Sequence, residues 1–359
     1  MLHFEYMSWA KSQRPGHYNL ARSGVVQLHL SDLPIEHTAL DINGNNVYGY
    51  QPLLQAIATK YSVEEEQVVL TQGASFANYL VHAALLHPGD EAIVEQPTYE
   101  VLHKLPLLFH AAVKRLPRRF DNKFQIDPDD LRRLVTDRTR LIVLTNLHNP
   151  AGVRIDDNTL IEIGDIAGRV GARVLVDEVY LETYYRNRPL VAARLGDTFI
   201  TTSSLTKAYG LDGLRCGWVI CERGLAAQLR QLYDFCGVVG VFIAEQIGAA
   251  VFAHLETIAE KHRGYIRQNL QQMHAFMDEH PQLQWAEPDN GVIAFPKLTN
   301  SATADHLAEV LRRKYDVLIV PGHFFESPAH FRIAWGIPSE KFSAALDRLE
   351  QALQETQQK

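Results

Sequence analysis

The sequence predicts an α/β protein whose large domain holds a mostly parallel, mixed sheet sandwiched by helices, with a smaller α+β domain beside it. Three observations carry this expectation. Short apolar, β-rich runs alternate with helical patterns from about residue 45 to 245. The runs are continuously apolar rather than alternating, as strands buried on both faces are. After residue 245 the pattern changes to long helical periodicity followed by short strands and amphipathic helices.

The expected elements follow in order. Residues 68–71 read as a strand and 75–86 as a helix; 91–94 is the next strand and 99–109 the next helix. A shorter strand is expected at 112–116. A helix follows at 127–134, opened by Asp127 and Pro128 at its cap and first turn. Residues 140–145, 173–176, 199–202 and 218–221 complete the strands of the large domain. No proline occurs between Pro189 and Pro281, and Ile247, Val251, Leu255, Ile258 and Tyr265 share one side of a helical pattern over 244–278. One or two long helices therefore leave the large domain. Strands at 292–295, 317–320 and 331–335 and helices at 303–315 and 339–355 form the C-terminal part. The division expected is an N-terminal segment 1–44 joining the small domain, a large domain 45–245, and a small domain 246–359 that includes the linking helix.

Bulk composition narrows the function. The 359 residues are 46% hydrophobic and 21% charged, with a net charge of -7. That describes a soluble globular chain with ample core. Arg115, Arg118 and Arg119 form the densest basic cluster, too short and too poor in aromatics for a nucleic-acid partner. No run approaches the roughly 20 apolar residues of a membrane span, and the first thirty residues lack the apolar core of a signal peptide. Three cysteines without CxxC spacing suit reduced thiols and a cytoplasmic location. The 16 histidines are scattered without HExxH, so no metal site is expected, and no GxGxxG follows a strand.

The chemistry-bearing motifs fall at strand ends, where ligands gather in open α/β sheets. Gly73, Ala74 and Ser75 link a strand to a helix whose N-terminal amides, with the Ser75 hydroxyl, can hold a phosphate; an ordinary helix cap is the plainer alternative. Tyr99 lies just beyond Pro97 and can stack on a flat ring or pack as core. Asn149 precedes Pro150 and can donate an amide to a ligand or simply shape an Asn-Pro turn. Asp177 ends the apolar run at 174–176, and a lone buried carboxylate costs several kcal/mol without a partner. A pyridinium nitrogen is such a partner, and Tyr180 stands three residues on. In the run 203–217, Ser204 precedes Lys207 by three residues and Arg215 follows it by eight. The lysine can form an imine with an aldehyde while Ser204 and Arg215 hold a nearby phosphate. Pyridoxal phosphate carries both groups on one ring.

Taken together and in this order, the motifs resemble those of the class I/II aminotransferases among the fold-type-I pyridoxal-phosphate (PLP) enzymes, over nearly the whole chain from about Asn19. The resemblance implies that Lys207 forms the imine and shuttles the proton, and that Asp177 pairs with the ring nitrogen. Asn149 and Tyr180 would bind the ring oxygen, and Tyr99 would stack on the ring. Gly73, Ala74, Ser75, Ser204 and Arg215 would hold the phosphate. Residues 320–325 and 330–335 match the family's final signature, in which Arg332 grips a substrate carboxylate bidentately, a task for which lysine is a poor substitute. Gly24 would line the substrate mouth, and Asn149 would serve substrate as well as cofactor. Tyr48, or Tyr50 in the same compressed segment, would reach the phosphate site of a neighbouring subunit, which implies a homodimer. His148, Asp212 and the Asn290-Gly291 pair depart from the family's usual residues.

The activity implied is a ping-pong transfer of an amino group between an α-amino acid and a 2-keto acid. The same residues permit a PLP-dependent lyase, a decarboxylase or a cyclising enzyme, and a non-catalytic regulatory relative is a third reading. Val25, Tyr18, Trp9 and Phe242 are candidates for the side-chain pocket. Arg22 or Arg14 could serve as a second arginine for a dicarboxylic substrate.

Overall fold

The computed structural model describes residues 2–13, 16–183, 190–288, 290–299 and 303–357. All seven strands expected of the large domain are present: β1 (Val68–Gln72), β2 (Glu91–Gln96), β3 (Ala112–Pro117), β4 (Thr139–Thr145), β5 (Arg173–Asp177), β6 (Phe199–Ser204) and β7 (Cys216–Ile220). They form one sheet in the order β1-β7-β6-β5-β4-β2-β3. β7 runs antiparallel to both β1 and β6, and every other pair is parallel. The carboxyl ends of the six parallel strands and the start of β7 therefore share one edge. Gly73, Asn149, Asp177, Ser204, Lys207 and Arg215 all lie at that edge or in the loops leaving it.

Both faces of the sheet are covered, which explains the continuously apolar strands. Val69, Leu141, Leu175 and Ile200 pack with the helices Ala74–Leu85 and Arg223–Cys236 on one side. Ile142, Val174 and Val176 pack with the helix Asp157–Arg169 on the other. That last helix, like Gln51–Tyr61 and Arg223–Cys236, is absent from the sequence expectations, although Asp156 caps it, Glu222 caps Arg223–Cys236, and Pro52 opens Gln51–Tyr61. In Asp157–Arg169 the pattern is diluted by Gly164 and Gly168. Gly164 is required by packing, because a Cβ there would lie 2.5 Å from the Phe199 ring.

The helical stretch after residue 241 is two helices, Phe242–Phe252 and Leu255–Glu279. Beyond it, short strands Ile293–Ala294, Val320–Pro321 and Phe331–Ala334 form a three-stranded antiparallel sheet, backed by Ala304–Lys314 and Ser339–Gln357. The N-terminal segment touches both parts. Tyr18–Asn19 pairs in parallel with Val317–Leu318, whereas Leu33 packs with Leu53 and Trp218 against the large sheet. The short helix Glu5–Ser12, unmarked in the sequence by any N-cap residue, lies over the sheet edge.

Candidate active site

One cavity of about 560 Å³ opens at the carboxyl edge of the sheet, and the sequence-predicted residues converge on it. Ala74, Ser75, Tyr99, Asn149, Asp177, Tyr180, Ser204, Lys207, Arg215 and Arg332 all line it, although they are spread over 259 positions of the chain. Gly73 and Gly24 sit directly behind liners rather than in the wall.

One end of the cavity is a cradle for an anion. The helix Ala74–Leu85 begins there without a side-chain cap, so its first amides have no intrahelical acceptor and its dipole favours negative charge. Gly73 adopts φ +83°, and a Cβ on it would lie 2.4 Å from Arg215 Nη2. A Cβ on Gly217 would meet the Gly73 backbone at 2.6 Å. These two glycines let the helix start, β7 and the Arg215 guanidinium close in on one point. Ser204 reaches the same end, and its Oγ accepts the Thr206 N–H at 3.3 Å.

The floor carries a buried carboxylate. Asp177 closes β5, its Oδ2 accepts Asn78 Nδ2 at 2.7 Å, and its Oδ1 accepts the Val179 N–H at 3.2 Å. Asn78 is in turn held by Thr202, whose hydroxyl donates to Asn78 Oδ1 at 2.7 Å. Burial pushes the Asp177 carboxyl above its usual range, against the pull of the Asn78 amide, the Val179 N–H and the Lys207 charge. Across the cavity, Lys207 Nζ donates to Ser23 Oγ at 3.3 Å. Burial lowers its pKa; Tyr6 opposes that shift, while Arg332 and Arg22 add to it. The segment 23–25 crosses directly over the lysine: Val25 N–H donates to Lys207 O at 3.1 Å, and a Cβ on Gly24 would lie 3.4 Å from the same oxygen.

At the other end stands Arg332, 1% exposed. Its Nη1 donates to Asn149 Oδ1 at 3.0 Å, and its Nη2 to Tyr6 OH at 2.9 Å and Ala21 O at 3.0 Å. Its Nε has no partner among the described residues. Among the described residues, every acceptor this buried cation meets is neutral. Asn149 is placed from below: its N–H donates to Thr145 Oγ1, and Thr145 N–H and hydroxyl donate to Glu95, at 2.9, 2.8 and 2.5 Å. Glu95 is fully buried with Arg118, at 2.7 Å. His148, also buried, bonds Pro97 O through Nε2 at 2.9 Å; burial and Arg118 push its pKa well below the usual imidazole range. It does not line the cavity wall.

The roof differs from expectation. It is built from Tyr6, Met7, Ala10 and Lys11 of the helix Glu5–Ser12, together with Leu102. Val25, Tyr18, Trp9 and Phe242 do not line the cavity. Val25 joins a core cluster with Ile333 and Trp335, Tyr18 packs under the Arg348 guanidinium, Trp9 lines a separate groove, and Phe242 packs on Tyr50. Arg22 is paired with Asp212 at 3.0 Å, and Arg14 lies outside the described residues. Tyr48 is half-exposed, with its OH 3.3 Å from Asp234 and outside its own chain's cavity. Sequence reasoning missed Tyr6 and Asn78. The second had a signal, a polar amide inside a mostly apolar helix.

The chain matches the family described as aminotransferase class I and II over residues 25–349. The chain belongs to the class I/II aminotransferase family. Among relatives of this aminotransferase-family chain, capreomycidine synthase of Streptomyces vinaceus is 30% identical over 85% of this chain and 79% of its own. A PLP-dependent aminotransferase from Streptococcus suis 89-1591 superposes with a TM-score of 0.94 at 26% identity, covering 99% of this chain and 98% of that one. The PLP-dependent cyclase OrfR superposes at 0.90 and 26% identity, covering 99% and 97%. The family uses pyridoxal phosphate, and the cavity fits it: an amine, a buried carboxylate and an uncapped helix start with an arginine face one enclosed space.

Proposed function

We propose that this protein is a PLP-dependent aminotransferase that moves an amino group between an α-amino acid and a 2-keto acid. The observation that carries the reading is Arg332. A buried guanidinium with only neutral acceptors costs several kcal/mol unless an anion joins it, and it opens into the same cavity as Lys207 and Asp177. A carboxylate entering there satisfies its fork.

When bound, pyridoxal phosphate supplies an electrophilic carbonyl and a ring that takes up electrons. The chain's residues do the rest. Burial lowers the Lys207 pKa, which favours the neutral amine; Lys207 would hold the cofactor through that carbonyl and would move a proton at the substrate α-carbon. Asp177 would hold the proton on the ring nitrogen, Asn149 and Tyr180 would bind the ring oxygen, and Tyr99 would stack on the ring. Gly73, Ala74, Ser75, Ser204 and Arg215 would hold the phosphate, and Gly24 and Arg332 would position the substrate.

The active unit is a homodimer in this reading, with Tyr48 turned toward the neighbouring subunit's phosphate. Ile42, Val47, Phe235 and Val238, each at least 69% exposed, support it. The Tyr48–Asp234 contact brings their two segments together, and monomers rarely leave such a patch bare. The free cysteines fit a reducing, cytoplasmic location.

Similarity to capreomycidine synthase and to the cyclase OrfR supports a second reading, a PLP-dependent cyclising or eliminating enzyme. One experiment separates them. Holoenzyme mixed with single amino acids and no keto acid is expected to accumulate one equivalent of pyridoxamine phosphate. Product without that form of the cofactor would favour the second reading. Lys207→Ala is expected to lose both turnover and the visible absorption of the lysine-bound cofactor; retention of either removes the assignment.

A further inference from the structure

The helix Glu5–Ser12 forms the cavity roof, yet its own sequence does little to hold it there. It has eight residues, far below the length at which an isolated helix is stable, and Phe4 at its N-cap supplies no side-chain hydrogen bond. Its cap comes from 94 positions away. Glu100, 4% exposed, turns its carboxylate onto the helix start. Oε1 accepts the Glu5 N–H at 2.7 Å, and Oε2 accepts the Tyr6 N–H at 3.0 Å and the Met7 N–H at 3.4 Å. Lys104 completes the clasp, donating to Glu100 Oε1 and to His3 O, both at 2.7 Å. A carboxylate is the group a helix N-terminus binds best, because orphan amides and dipole both favour it.

The clasp has a consequence inside the cavity. It fixes the turn that carries Tyr6, and the Tyr6 hydroxyl accepts Arg332 Nη2 at 2.9 Å. Among the described residues, Tyr6 and Asn149 are the two side chains that accept from the Nη groups of Arg332. We propose that Glu100 is a positioning residue for substrate: by clasping the roof helix it sets Tyr6 on Arg332 and so aligns the guanidinium for the incoming carboxylate. The inference rests on Arg332 being the carboxylate site.

Glu100 is outside the cofactor cradle, so its loss separates substrate binding from cofactor binding. The test uses the PLP-loaded protein and three variants, Glu100→Ala, Glu100→Gln and Tyr6→Phe. Two quantities are read: KM against kcat for an amino acid donor, and the dissociation constant of an unreactive α-methyl amino acid from the shift in cofactor absorbance. Glu100→Ala is expected to weaken both KM and that dissociation constant about tenfold, the scale of a charged cap at a helix start. The absorbance of the unliganded holoenzyme and its cofactor content stay unchanged, and kcat falls less than about threefold. Glu100→Gln, which keeps one acceptor, falls between and replaces the alanine variant if that one does not fold. Tyr6→Phe weakens binding as well, and the double variant Glu100→Ala/Tyr6→Phe is no worse than the weaker single one, since both act through one contact. Unchanged binding in Glu100→Ala, or additive losses in the double variant, overturns the proposal. A wild-type holoenzyme with no spectral response to any amino acid would instead bring down the Arg332 reading and the clasp with it.

Discussion

Asn78 offers the sharpest test of the charge arrangement in the cavity floor. It is 2% exposed, donates to Asp177 Oδ2 at 2.7 Å and is itself held by Thr202. Asn78→Ala leaves Oδ2 without its donor, and only the Val179 N–H at 3.2 Å remains on the other oxygen. A hydrogen bond to a charged group is worth about 1.5–3 kcal/mol, and that penalty falls on the ionised form alone. If the ionised carboxylate is what keeps the ring nitrogen protonated, kcat/KM drops roughly 10- to 150-fold. The sign of the pH effect follows. Burial already raises the Asp177 pKa and the amide counteracts it, so removing the amide raises it further and moves the acid limb of the kcat/KM profile to higher pH. Stability shifts in the same sense. A carboxyl whose folded pKa lies above its unfolded value loses stability as pH rises between the two. The variant is therefore least destabilised in acid, where Asp177 is protonated in both states. Steady-state pH profiles of the holoenzyme, with urea melts at the acid and alkaline ends, read both effects. An Asn78→Ala enzyme within twofold of wild type, its acid limb unmoved, would refute the reasoning.

Two further substitutions probe the support beneath the site. Arg118→Met strands Glu95 in the interior, and breaking a buried pair from one side costs about 3–5 kcal/mol. Since burial raises the Glu95 pKa and Arg118 is the largest force opposing it, the loss shrinks as pH falls; urea midpoints at two pH values measure this, and a loss below about 1 kcal/mol at neutral pH contradicts it. Glu178 is buried against Thr201 and the Ala192 N–H, and burial raises its pKa to about 8. Protonated in the fold but ionised in the unfolded chain, it costs about 3 kcal/mol near neutral pH. Glu178→Gln is expected to raise Tm at pH 8 more than at pH 5, and an equal change at both sinks the argument.

Much of this was legible because burial leaves a mark on composition. The middles of β4 and β5, residues 141–144 and 174–176, are apolar without a break, so Asp177 stood out at the end of its strand as a charge that something had to answer. Helices that turn one face to solvent were harder to read where packing demanded small residues. Gly164 weakens helical propensity because the Phe199 ring leaves room for nothing larger. The roof helix was invisible for a different reason: its stabilising cap is Glu100, and a tertiary cap 94 positions distant leaves no local signal. Tyr18 and Trp9 were set near the pocket from the same segment, but a helix turns each side chain by about 100°. Tyr6, Met7, Ala10 and Lys11 face inward while Trp9 faces the groove beside helix Ala304–Lys314.

The two buried charges of the cavity explain why the site needs so much neutral scaffolding. Asp177 and Arg332 could have answered each other in an ordinary ion pair, which would have been the cheaper way to bury them. Instead, among the described residues, each is held by neutral groups only, an amide and a backbone N–H for the acid, an amide oxygen, a phenol and a carbonyl for the arginine. Such partners orient a charge without cancelling it, and the field of each stays available to whatever enters between them. Lys207 lies within reach of both fields, lowered by Arg332 and attracted by Asp177. Neutralising either charge in place, by Asp177→Asn or Arg332→Met, therefore removes a function without removing a structural ion pair.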